Sequence, residues 1–266
     1  MIHNKKVINL AILLLLFSVV LFTSKLIFFD EKINTKNIIT ENLQTIDPKI
    51  INFINADLAG RDLNNLDLTG TNLQGANLQG ANLNGLNLSS TNLSGADLRG
   101  ASIIETNFTK VDLSNANLSG LDISRANFFT PIKLSNANLS GATLTGRNFE
   151  NLDLSGSNLS SANLIGASLN LTNLKSANLS NAVITGGLMM EANLQGANLQ
   201  GANLNGLNLS STNLSGADLR GASIIETNFT KVDLSNANLS GLDISRANFF
   251  TPIKLSNANL SGATLT

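Results

Sequence analysis

The chain has 266 residues, of which 13% are charged, a formal net charge of -1, no Cys, Trp or Tyr and one His. Without cysteine there is no disulfide framework and no thiolate metal site, and a near-neutral balance announces no charge-driven partner. A chain so poor in His and Cys also offers few of the groups that catalytic and metal sites are built from.

Residues 1 to 29 begin with Lys5 and Lys6 and continue in an apolar run from Val7 to Phe22 broken only by Asn9 and Ser18. Extended past Lys25 to Phe29, the run is long enough to cross a bilayer of about 30 Å. A cleaved signal peptide is the rival reading. It would need a small-x-small site, and both Leu21-Phe22-Thr23 and Phe22-Thr23-Ser24 put a bulky residue where a small one belongs. The segment is therefore expected to be an uncleaved, single-pass anchor in a bacterial membrane. Lys25, Lys32 and Lys36 lie beyond the run, so lysine bias alone does not orient it. Its signal-like order, basic and then apolar, points to an extracytoplasmic remainder. Residues 30 to 50 are polar with scattered Ile and contain Pro48, as a stalk or short cap would.

From residue 51 onward one pattern governs the chain, clearest in the stretch from Thr71 to Gly100: Ala-Asn-Leu-x-Gly, repeated without a gap. The Leu of each pentad is its central position, beginning at Phe53 and Leu58 and recurring every fifth residue to Phe128. A six-residue step reaches Leu134, fives resume to Phe249, and a second six-residue step reaches Leu255, giving 43 pentads. A small residue lies two before each centre and Asn or Asp lies between them, which is the in-out-in alternation of an extended segment. The other two positions, often Ser or Gln and then Gly, carry turn chemistry. A period of five would place successive Leu about 140° apart on an α-helix, leaving no apolar stripe. Short fixed periods signal a solenoid, in which one repeat buries its apolar side only against stacked neighbours.

Four pentads make one coil. Counted from Phe53, the centres Phe108, Phe128, Phe149, Phe229 and Phe249, with Met189, all fall at multiples of four. At every fourth pentad, Ala192 excepted, the small position is instead larger, as in Thr71, Thr91, Val111, Ile132, Leu152, Thr172 and Val232. The following pentad carries Ala or Ser there, from Ala56 through Ser157 to Ala177. Like-sized residues therefore stack in columns. The run of A-[DN]-L-x-x resembles the pentapeptide-repeat proteins over about residues 51 to 266. The resemblance implies an all-β, right-handed quadrilateral parallel β-helix with centres and small residues inside. At about 4.8 Å per coil the pentads make a rod of roughly 50 Å.

Several irregularities stand out. Residues 72 to 145 and 193 to 266 are the same 74 residues, offset by a whole number of coils, so both copies return to the same walls. Thr266 falls in mid-coil with no polar cap, which suggests either a rod that pairs end to end as a homodimer or a truncated or misassembled product. Pro131 and Pro252, in the six-residue steps, cannot donate to a ladder and are expected at corner bulges. Arg61 and Arg147 occupy the small inward position, where a charge is costly, so local distortion is expected at both.

Function is less legible. The Asp residues before the centres, such as Asp97, Asp112 and Asp122, read as solvated wall residues, and no nucleophile-base set, phosphate loop or metal spacing occurs. No catalytic residue, cofactor or metal is expected, and the Asn-x-Ser triplets are a by-product of the pentad. The candidate partner-binding residues are outward apolar side chains just after a centre: Ile104, Ile165 and Ile225 on one wall, Phe129, Met190 and Phe250 on the next. Contiguous exposed apolar area marks interaction sites. The expectation is a non-catalytic, membrane-tethered scaffold or protein-interaction rod with an unknown protein partner and no direct nucleic-acid contact. An ice- or glycan-binding face is a looser variant that lacks a regular outward Thr array. The resemblance also implies an alternative, a duplex-mimicking protein that binds DNA gyrase. That role asks for a markedly acidic rod, whereas this one carries 14 acidic and 11 basic side chains.

Overall fold

Each pentad meets the backbone's hydrogen-bonding demand in the same way. In the computed structural model, which describes residues 53–128, 131–250 and 252–264, the small residue's N–H closes a turn onto the previous centre, as in Ala76 N–H to Leu73 O at 3.0 Å. The next N–H reaches down one coil, Asn77 to Ala56 O at 2.9 Å, and the central N–H reaches up, Leu78 to Asp97 O at 2.7 Å. The corner residue's N–H also reaches up, Gly80 to Arg99 O at 2.9 Å. One donor per pentad is left, the N–H just after the centre, and the Asn or Asp side chain before the centre takes it: Gln79 N–H to Asn77 Oδ1 at 3.2 Å. The pattern thus places all five donors.

These bonds build four flat walls. Parallel bridges link residues twenty apart, as in the series Asp57, Asn77, Asp97 and Asn117. The first wall carries the centres Phe53, Leu73 and Leu93, the second Leu58, Leu78 and Leu98, the third Leu63, Leu83 and Ile103, and the fourth Leu68, Leu88 and Phe108. Corners fall at the fifth residue of the pentad, where φ is positive at most coils, +67° at Gly75 and +64° at Gly80. Glycine accepts that conformation freely and Asn tolerates it, which accounts for the residues chosen there.

Except for Phe128, every central residue from Phe53 to Leu239 is buried, each contributing about 1.5 to 3 kcal/mol. Phe108 stacks on Phe128 with ring centroids 4.8 Å apart, and Phe229 on Phe249 at the same distance. Buried threonines in the bulkier inward columns donate to carbonyls one coil below, Thr91 Oγ1 to Leu68 O at 2.9 Å and Thr172 Oγ1 to Phe149 O at 2.8 Å. Outside, Asn side chains run up the walls as ladders: Asn158 Nδ2 to Asn138 Oδ1 and Asn178 Nδ2 to Asn158 Oδ1, both 3.2 Å. A single Asn therefore closes its own turn and holds the coil below.

The proline steps are absorbed where the sequence places them. Across Pro131 the bridges shift to twenty-one, Asp112 to Lys133 and Asn117 to Asn138, and then return to twenty at Asn138 to Asn158. The two inward arginines behave differently. Arg147 Nη1 donates to Ala126 O at 2.6 Å, the carbonyl that the ladder would have given to Asn148 N–H. Among the described residues no bridge joins Asn127 to Asn148, and the ring stacking found at Phe108 and Phe128 does not continue to Phe149. At Arg61 the expected distortion does not occur: its carbonyl accepts from Asn82 N–H at 2.8 Å and Asp62 still bridges Asn82. The stalk at 30 to 50 and the anchor at 1 to 29 lie outside the described residues. Among the described residues no helix is long and apolar enough to cross a membrane.

Candidate functional site

The orphan donor after each centre shows where the rod departs from its own rule. When the residue before the centre is neither Asn nor Asp, the side chain that should satisfy that N–H is missing. At Ser102, Leu188 and Ser223 the acceptor comes instead from an Asn one coil below: Asn84 Oδ1 accepts from Ile104 N–H at 2.8 Å, Asn170 from Met190 N–H at 2.9 Å and Asn205 from Ile225 N–H at 2.8 Å. Three of the six residues singled out in the sequence are therefore held by a borrowed amide.

Of those six, Ile104, Ile165 and Phe250 are exposed, Met190 and Ile225 are half-buried, and Phe129 lies outside the described residues. The structure does not gather them into one surface. Ile104, Ile165 and Ile225 are three coils apart on the third wall, roughly 14 Å at each step.

A denser patch forms around Met190. Leu171 and Leu188 are 47% and 45% exposed, among the most exposed large apolar side chains of the rod. The backbones of the two coils pair closely there, Leu169 N–H to Leu188 O at 2.6 Å and Leu171 N–H to Met190 O at 2.9 Å. Around the corner, on the third wall, Val183 bridges Asn163 in the coil that carries Ile165. Sequence reasoning looked only at the position after the centre and so missed Leu171, at a corner, and Leu188 and Val183, before a centre. A signal was there: Val183 and Leu188 are the only apolar residues before a centre in the whole repeat.

Two further features coincide with this patch. Leu171 sits at a corner with φ +57°, a conformation costing roughly 1 to 2 kcal/mol for a residue with Cβ. Gly187 takes the small inward position, and a Cβ there would lie 2.6 Å from Ala167 O, so only glycine lets the fourth wall close at this coil. Strain and close approach of this kind gather at working surfaces more than at inert ones.

Charge is distributed unevenly among the walls. Arg99 grips Asp97 at 2.7 Å and Arg220 grips Asp218 at 2.7 Å on the second wall; Lys133 meets Asp112 at 2.9 Å on the first. The Arg220 hydrogen bond, with lesser help from Gln200, outweighs the effect of burial and holds the Asp218 carboxyl down at about 2. Asp97 is lowered by the same Arg99 arrangement. At Asp112 burial pushes up and is outweighed by bonds from Lys133 and Ser114. On the fourth wall and its trailing corner, Lys110, Glu150, Glu191 and Lys231 form no ion pair among the described residues; every such pair lies elsewhere. No group of metal-binding side chains occurs among the described residues.

Comparison with known sequence families matches the chain to pentapeptide repeats, in eight copies, over residues 51–89, 91–128, 132–170, 153–189, 188–224 and 212–249. No curated protein sequence matches it. Among solved structures it is similar to HetL, a pentapeptide repeat protein involved in heterocyst differentiation regulation in the cyanobacterium Nostoc, with 30% identity, coverage of 79% of this chain and 88% of that one, and a TM-score of 0.36. It is also similar to QnrB1, a plasmid-mediated fluoroquinolone resistance protein, with 21% identity, coverage of 79% and 89%, and a TM-score of 0.40. A third is the pentapeptide repeat protein Rfr23 of the cyanobacterium Cyanothece, with 29% identity, coverage of 60% and 89%, and a TM-score of 0.19.

Proposed function

The chain belongs to the pentapeptide-repeat family, and from that premise we propose that it is a non-catalytic interaction scaffold, tethered to a bacterial membrane by residues 1 to 29. The family implies a right-handed quadrilateral β-helix, a rigid rod whose walls present side chains at fixed spacing. The observation that carries the reading is the patch at Leu171, Leu188 and Met190, where exposed apolar side chains replace the solvated Asn column and Asn170 repairs the resulting loss. A surface that keeps its backbone satisfied while giving up its polar coat is suited to a protein partner. The tether is supported by the apolar run from Val7 to Phe22 and its extension to Phe29.

The alternative, a duplex-mimicking gyrase binder, requires a strongly acidic surface. Asp97, Asp112 and Asp218 are each neutralised by a neighbouring cation, which favours the scaffold. The deciding experiment is fractionation of cells expressing the full chain, followed by protease treatment of intact cells. The tethered reading expects the rod in the membrane fraction and cut from outside. A soluble chain that protects gyrase in a supercoiling assay would overturn it.

A further inference from the structure

Several exceptions of the fourth wall lie at matching distances from a single coil. Leu188 and Met190 mark that coil. Two coils below, along the bridges from Leu188 through Ser168 to Asn148, lies Glu150; two coils above, through Asn208 to Asn228, lies Lys231. Three coils above, past Asn228 to Asn248, Phe250 stands 62% exposed. Glu150 and Lys231 have no ion-pair partner among the described residues, whereas Asp97, Asp112, Asp218 and Asp233 on the first and second walls each have one.

From this arrangement we infer that the fourth wall is the contact face of a side-by-side homodimer, two rods running antiparallel about a two-fold axis that lies along the strands at the coil of Leu188 and Met190. The operation fixes the contacts. A residue some number of coils below the axis faces the residue the same number above it in the second copy, and the same patch serves both rods. Leu188 meets Leu188 and Met190 meets Met190, so the apolar centre covers itself. Glu150 meets Lys231 at both ends, which gives each a partner, while Lys110 lies outside the overlap, and the exposed Phe250 comes down on the coil of Phe128. A parallel dimer would set Glu150 against Glu150 and Lys231 against Lys231, and like charges across an interface select against that arrangement. One charge opposes the axis: Glu191, at the corner of the central coil, comes beside its twin at the rim.

This inference rests on the fourth wall being the interaction face of the scaffold and adds the identity of what it binds. Because the chain contains no cysteine, one introduced residue supplies the only thiol. The experiment treats purified full chain in detergent with a short bis-maleimide. Met190→Cys should cross-link to itself, Thr230→Cys alone should not, and a mixture of Glu150→Cys with Thr230→Cys should cross-link to each other. Leu188→Asn, which restores the ordinary wall residue and therefore folds, should lower the Met190→Cys yield at least tenfold with unchanged circular dichroism. Glu150→Lys should weaken association, the added Lys231→Glu should restore it, and Glu191→Gln should tighten it. A chain that stays monomeric, a Thr230→Cys that cross-links to itself, or a Met190→Cys yield untouched by Leu188→Asn overturns the two-fold. A monomer leaves the tethered scaffold standing, since fractionation tests that separately. A dimer of this register found in the soluble fraction does the reverse.

Discussion

The repeated blocks and the segment between them obey one pattern with very different strictness. In the blocks, much of the geometry repeats with the sequence: Ser102 Oγ to Asn84 Oδ1 and Ser223 Oγ to Asn205 Oδ1 are both 2.7 Å. Arg99 to Asp97 and Arg220 to Asp218 are likewise both 2.7 Å. Between the blocks, residues 146 to 192 hold Arg147 with its Nε buried and unpartnered, Ser157 with a buried and unpartnered hydroxyl, an exposed Leu171 at a corner, Gly187 in an alanine position and Leu188 on a polar wall. Within a solenoid each coil answers only to its neighbours. A coil with good coils on both sides can therefore carry exceptions that its own sequence would not support, and the exposed exceptions are where a partner finds something to bind.

One difference between the blocks isolates this neighbour effect. Leu134 is fully buried, whereas its copy Leu255 is 38% exposed. Leu134→Ala should cost about 2 to 5 kcal/mol, the range for a buried Leu that leaves a cavity. Leu255→Ala should cost well under half of that in the same thermal or denaturant titration, and equal costs would break the comparison. Next in size, Gly187→Ala must push its new methyl against Ala167 O, an overpacking expected to cost about 1 to 3 kcal/mol. An unchanged melting temperature would show that the fourth wall has room there.

Two substitutions in the middle segment should repair rather than damage. Ser157→Ala removes a hydroxyl buried without a partner and returns the position to the Ala column, for a gain of about 1 kcal/mol in denaturant titrations. Leu171→Asn relieves the corner strain and should gain somewhat less, roughly half a kcal/mol, because Asn tolerates that φ.

The smallest effect is acid sensitivity. The folded pKa of Asp218 lies below its ordinary value of 3.8, at about 2. Its contribution is present above the unfolded pKa and is lost as pH falls from about 4 toward about 2, and Asp97 shifts in the same direction. Arg220→Gln should lower stability slightly above about pH 4, flatten the profile in that window and converge with the parent chain near pH 2. Arg220 is half exposed and the pair lies at the rod surface, so solvent screens it and the change is expected to be small.

What the amino-acid order settled alone was everything periodic. A five-residue repeat excludes a helix, and columns of Phe and Thr at every fourth pentad close the coil. The small residue and the centre must face inward because nothing else in the pentad is apolar. The bridge series and the stacked Phe108 and Phe128 agree with that reading, as does the buried core. Only the tertiary structure decided how the exceptions resolve, because each depends on the coil above or below rather than on its own pentad. It separated Arg147, which captures Ala126 O and breaks the ladder, from Arg61, which does not. It also showed Asn170 lending its amide across twenty residues to Met190, so that an apolar pair could stand on a wall otherwise covered by hydrogen-bonded side chains. Periodicity is a property of the chain taken one residue at a time, whereas satisfying a displaced donor requires two coils already in contact.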